Sequence, residues 1–155
     1  MIKKIIFVGL LLISLGINAF LISKFVGGST QKIEGDERVS IVMSNDNREF
    51  VMREMRHFVE SVQQINAGIL YERPELIIEA ARKSGHAVTE CAPQGLVQTL
   101  PLSFKQLGFS THDLFDEIAD EAEKNFSPKR TQEQLNQLLT NCVSCHRGFR
   151  IDAQK

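Results

Sequence analysis

The chain has no tryptophan, a single tyrosine and three cysteines among its 155 residues, while phenylalanine occurs ten times. It also lacks an excess of charge of either sign. The formal net charge is −1, so nothing in the composition points to nucleic acid or to a disordered chain. There is no Gly-rich phosphate loop, no internal repeat and no stretch with a clear strand period. Nucleotide-binding α/β folds and repeat architectures are thereby excluded as starting points. A second close-spaced pair of Cys or His ligands, which a zinc ribbon would need, is also missing. The four prolines, at positions 74, 93, 101 and 128, mark most of the breaks.

What is present begins with a targeting pattern. Lys3 and Lys4 precede an apolar run from Ile5 to Ser23, interrupted only by small residues and Asn18. A membrane helix needs about 17–25 such residues. The one A-x-A-like site, Ile17-Asn18-Ala19, carries a bulky Ile and falls inside the run. Residues 1–27 therefore read as an uncleaved transmembrane signal-anchor, with a cleaved signal peptide as the alternative. By the positive-inside rule the lysine pair stays inside and the rest faces out. In a bacterial cell that is the periplasm, with the protein tethered to the inner membrane. All 19 acidic but only 15 of the 18 basic residues lie beyond residue 27, which leaves −4 on the exported part. Residues 28–44 are expected to be a polar linker.

The remainder, 45–155, predicts an all-α domain. Val51, Met55, Phe58, Val62, Ile65 and Ile69 recur at alternating spacings of 4 and 3, which is one face of a helix over 45–70. A second helix is expected from Pro74 to Lys83, ended by Ser84-Gly85. Residues 86–110 are weakly periodic and predict a long connection, with a short helix around Ser103–Leu107. Ser110 is a good cap for a third helix reaching Asn125. Thr131 then caps a fourth, on Leu135, Leu138, Leu139, Cys142, Cys145 and Phe149, after a break at Ser127-Pro128. Two short turns and one long link predict an antiparallel four-helix bundle.

The chemistry lies in Cys142-Val143-Ser144-Cys145-His146. This is the c-type haem attachment spacing. Two thiols three residues apart on a helix share a face and reach the two haem vinyl groups. The adjacent His146 then sits under the iron as proximal ligand. Two other readings compete. A C-x-x-C is also the redox dithiol motif, but that motif normally opens a helix in a strand-containing fold. It is also half a zinc site, to be completed by Cys91 and a His. Cys91 is otherwise the odd thiol, buried or paired with another chain.

An export segment, amphipathic helices and a terminal C-x-x-C-H followed by Phe149-Arg150 resemble class II cytochromes c, the cytochrome c prime family. The resemblance covers roughly residues 45–152, and its motif, C-x-x-C-H-x-x-[FY]-[RK], is matched by Cys142 to Arg150. It implies one covalent haem c wedged between helices near one end of a bundle. It implies that Arg150 sits beside the proximal imidazole, where the alternative is a solvated Arg at a helix C-terminus. Homodimers formed through the first two helices are implied by the same resemblance. Low-spin members of the family take their sixth iron ligand from a methionine of the first helix, and high-spin members leave the iron open.

Met55 is the expected sixth ligand, since it lies on the apolar stripe. Met52 fits a second alignment, four residues after Arg48, and His86 lies at the same end of the bundle. A Met on such a stripe is also ordinary core filler. His57 projects away from the stripe, and His112 suits a propionate or a helix cap. The acidic run Asp113, Asp116, Glu117, Asp120, Glu121 and Glu123 reads as a solvated face or, more sharply, a docking surface for a basic partner. The expected function is electron transfer among periplasmic or membrane redox proteins. A gas-binding protein, with nitric oxide or carbon monoxide on an open iron lined by Phe50, Val51 or Phe58, is the alternative. No acid–base pair is evident, so no enzyme activity is expected.

Overall fold

The structure is a computed structural model that describes residues 2–154. It is 76% helical, with six α-helices and one small three-stranded sheet among the described residues. Helix α1 covers Ile2–Gly27. Strands β1, Thr30–Ile33, and β2, Asp36–Met43, form a hairpin. Helices α2, Asn45–Leu70, and α3, Pro74–Arg82, follow. A short 3-10 helix, His86–Cys91, leads to a single helical turn, α4, Leu96–Thr99. Helix α5 is Leu102–Asn125, α6 is Pro128–Gly148, and β3 is Phe149–Ala153.

The first helix of the domain forms where the apolar stripe predicts it. Ser44 caps α2, its hydroxyl accepting from the Asn47 amide at 3.3 Å. The helix stops at Leu70, where Glu72 takes a positive φ of 50° and Pro74 opens α3. Helices α2, α3, α5 and α6 pack in a ring: α2 on α3, α3 on α5, α5 on α6 and α6 back on α2. One buried cluster fills the ring with Ile65, Ile77, Phe115, Ile118, Leu135 and Leu138. A second cluster, Ile41, Met43, Val51, Leu96, Leu100 and Phe104, lies where the sheet and α4 close the other end.

Three expectations need correction. The stretch 28–44 is not a featureless linker. It holds β1 and β2, and β2 pairs in parallel with β3, from Val39 opposite Phe149 to Met43 opposite Ala153. Met43 and Ile41 are fully buried there. The domain is thus not purely helical.

Ser110 is not a cap either. Helix α5 runs through it from Leu102, because the hydroxyls of Ser110 and Thr111 donate back to the Leu107 carbonyl at 3.2 and 2.7 Å. Such bonding keeps a hydroxyl residue inside a helix. The fourth helix likewise begins earlier than Thr131. Ser127 is the cap, with Pro128 in the first turn, and the Thr131 hydroxyl donates to the Ser127 carbonyl at 3.1 Å.

Candidate functional site

The last two turns of α6 carry Cys142, Cys145 and His146, and all three line one cavity. The cavity is a half-open cleft with about 130 Å³ of interior volume. It lies between the two buried clusters. Cys142 packs against the helical cluster and Cys145 against the sheet-side cluster. Helix α2 supplies Phe50, Val51, Glu54, Met55 and Phe58 to the wall, and α5 supplies Phe104, Lys105 and His112. The lining is mostly apolar, as a site that excludes water should be.

Burial pushes both thiols above their ordinary range, Cys145 to about 11. At neutral pH they are therefore protonated and poor nucleophiles. A redox dithiol requires the opposite, a lowered thiol pKa. Among the described residues no group of three or more His, Cys, Asp or Glu side chains is arranged to hold a metal ion. A zinc centre completed by Cys91 finds no support in that geometry, and Cys91 is exposed on the 3-10 helix. A c-type haem needs only one or two protein donors to its iron, and its thioether bonds need two thiols one turn apart.

The candidate iron ligands separate clearly. Met55 lines the cavity with His146, whereas Met52, His57 and His86 do not. The His86 ring pairs with the Asp113 carboxylate at 2.8 Å and stacks near Phe109. His57 is 3.6 Å from Glu54 and half exposed. Arg150 points into the sheet. Its guanidinium donates to Asp36 at 2.9 Å and to Asp152 at 2.8 Å, and it is not among the lining residues.

Two polar side chains share the wall: His112, which the sequence assigned to a propionate or a helix cap, and Glu54, which it did not single out. His112 reaches the cavity with Nδ1 bonded to the Ser84 carbonyl at 2.9 Å and its ring edge-on to Phe58. Glu54 is buried, and its Oε2 has no hydrogen-bond partner. An unpartnered buried carboxyl oxygen costs stability until something donates to it. A bound group with polar edges is one way to supply that donor, so the orphan oxygen fits a cavity built to be filled. The buried positions of α2 are Val51, Glu54, Phe58, Ser61, Ile65 and Gly68, at spacings of 3 and 4, a line that the apolar stripe of the sequence does not mark at Glu54.

The residues present therefore fit a covalently held haem: paired thiols, an adjacent imidazole, a thioether in the same cavity and apolar walls. No family model, curated protein or solved structure matches the chain.

Proposed function

We propose that this chain is a membrane-tethered monohaem c-type cytochrome that passes single electrons between periplasmic or membrane redox proteins. The observation that carries the reading is the convergence of Cys142, Cys145, His146 and Met55 on one apolar cavity. On this reading α2, α3, α5 and α6 are an antiparallel four-helix bundle, and α1 is its signal-anchor. Residues 3–27 form a helix long and apolar enough to cross a membrane, and none of it is buried against the domain's core.

The haem supplies one-electron redox chemistry. The thiols of Cys142 and Cys145 would hold it through thioether bonds, and His146 and Met55 are the side chains that would ligate its iron. Phe50, Val51 and Phe58 keep water from the thioether side. Those same phenyl and isopropyl groups favour a second reading if Met55 is not bound: an open iron in an apolar pocket that takes nitric oxide or carbon monoxide.

A visible spectrum of the purified protein tests both. Low-spin bands with a weak methionine–iron charge-transfer feature are expected for electron transfer. High-spin bands at rest move the function to gas binding. A protein with no Soret band has no haem, and the proposal fails.

A further inference from the structure

The segment after α1 is not built as a flexible tether. The Gly28 amide bonds the Lys24 carbonyl at 3.0 Å, and the next amide, Ser29, donates to the Thr99 carbonyl at 2.7 Å. Gly28 has φ +59°, and a Cβ there would lie 2.6 Å from backbone atoms of Thr99, Leu100 and Pro101. Only glycine allows that approach. The Ser29 carbonyl accepts from the Val42 amide at 2.8 Å, which joins the same point to β2. Lys105, buried in the first turn of α5, donates from Nζ to the Phe25 carbonyl at 3.0 Å and lies 4.1 Å from the centre of the Phe25 ring. It satisfies a carbonyl of the last turn of α1 and places a cation against that helix's negative end.

Leu100 and Lys105 are also walls of the cavity. One pair of residues therefore touches the end of α1 and the candidate haem site.

We infer that α1 and the domain form one rigid body that holds the cavity at the membrane surface, and that the electron partner is an integral protein of the same membrane. The inference rests on the haem and anchor readings above. A stiff, short mount confines encounters to the plane of the bilayer. A carrier that serves soluble proteins would gain from a long, loose tether.

The test uses full-length protein in lipid vesicles and in washed native membranes. In the spin-label arm Cys91→Ser, Cys142→Ser and Cys145→Ser remove the native thiols, and Val97→Cys places a nitroxide on the exposed rim of the cavity, two residues from Thr99. Nickel-chelating lipids should strongly relax that label. A Gly-Ser insert of about ten residues between Gly28 and Ser29, which adds roughly 15–20 Å of flexible reach, should reduce the effect several-fold. Gly28→Ala should reduce it as well. Equal relaxation with and without the insert overturns the rigid mount, and this arm needs no haem.

Haem reduction or oxidation by washed membranes, free of soluble periplasmic proteins, tests the partner. Native protein should exchange electrons there, and the insert should slow the exchange several-fold. Membranes that leave the haem unchanged, or an insert that changes nothing, overturn the membrane partner. A chain that never acquires haem defeats the proposed function instead, while the spin-label arm still decides the mount.

Discussion

The two ends of the helical domain solve the same packing problem differently. At one end Ile65, Ile77, Phe115, Ile118 and Leu138 meet with no exposed surface and fill the space between four helices. At the other end Val51, Phe58 and Phe104 line a half-open cleft, and strands and a single helical turn close the perimeter. Side chains alone suffice where a core is continuous. Where the cleft stays open, the chain adds scaffolding from distant segments. The parallel β2–β3 ladder is that scaffolding, for it ties the residues before α2 to those just after His146.

The largest effect should come from emptying the open end. Replacing both Cys142 and Cys145 with Ala should abolish covalent haem, seen as loss of haem-dependent peroxidase staining on denaturing gels. The helices should remain, because neither thiol belongs to the fully buried core. Full covalent haem in the double variant would refute the attachment site. Complete loss of helical circular dichroism would show instead that the two ends do not fold separately.

Core truncation compares the ends directly. Phe115 is fully buried in the closed cluster, and Phe115→Ala should cost about 3–5 kcal/mol. Phe104 is 9% exposed and borders the cavity. In haem-free protein Phe104→Ala should cost clearly less, since part of its surface already faces empty space and forfeits fewer contacts. Urea unfolding of both variants measures the difference. Equal costs would mean that the open end is as tightly packed as the closed one.

The closed end was also the legible end. The stripe from Val51 to Ile69 placed α2 at 45–70, and Pro74 with Ser84-Gly85 framed α3 to within one residue. The stripe was still rotated slightly. Apolar residues drew it through Met55, Val62 and Ile69, whereas the buried line runs through Glu54, Ser61 and Gly68. Small and polar residues sit there because the partners come close. Ser61 and Ser84 share a hydrogen bond at 2.8 Å, and a Cβ on Gly68 would collide with Ile77. Hydrophobicity alone cannot report such a contact.

The open end was harder to read because its information is non-local. Val39, Ile41 and Met43 do alternate, but the strand is only eight residues long and its partner follows more than 100 residues later. The C-x-x-C-H motif needed no fold to be seen. The cavity around it did, since its walls come from α2, α4, α5 and α6.

A finer comparison sets two methionines of α2 against each other. Met55→Ala should convert a low-spin haem to high-spin and admit carbon monoxide, because only Met55 shares the cavity with His146. The potential should fall with loss of the thioether. Met52→Ala, outside the cavity, should leave the spectrum unchanged. A low-spin spectrum that survives Met55→Ala would move the sixth ligand elsewhere, and His112, already in the wall, would be the next residue to replace.

The smallest effect concerns the scaffolding itself and its dependence on pH. Hydrogen bonds from the Arg38 side chain and amide, then from Arg150, hold the Asp36 carboxyl well below the usual carboxylate range. Asp152 is lowered as well, first by Arg150 and then by the Ser40 hydroxyl at 2.6 Å. A carboxyl whose folded pKa is depressed stabilises the fold fully above its unfolded value, about 3.9, and loses that contribution as pH falls through the folded value. The loss should be modest, since partly exposed ion pairs are screened by water. Acid should therefore loosen the β2–β3 ladder before it touches the closed end, whose cluster contains no carboxylate. Hydrogen exchange below about pH 4 measures this. Protection of the Ile41 and Ile151 amides should fall at a higher pH than that of Ile118. Asp36→Asn with Asp152→Asn should flatten the dependence for the ladder and leave Ile118 as it was. If all three amides lose protection together in the native chain, the two ends open as one unit, and the division between them fails.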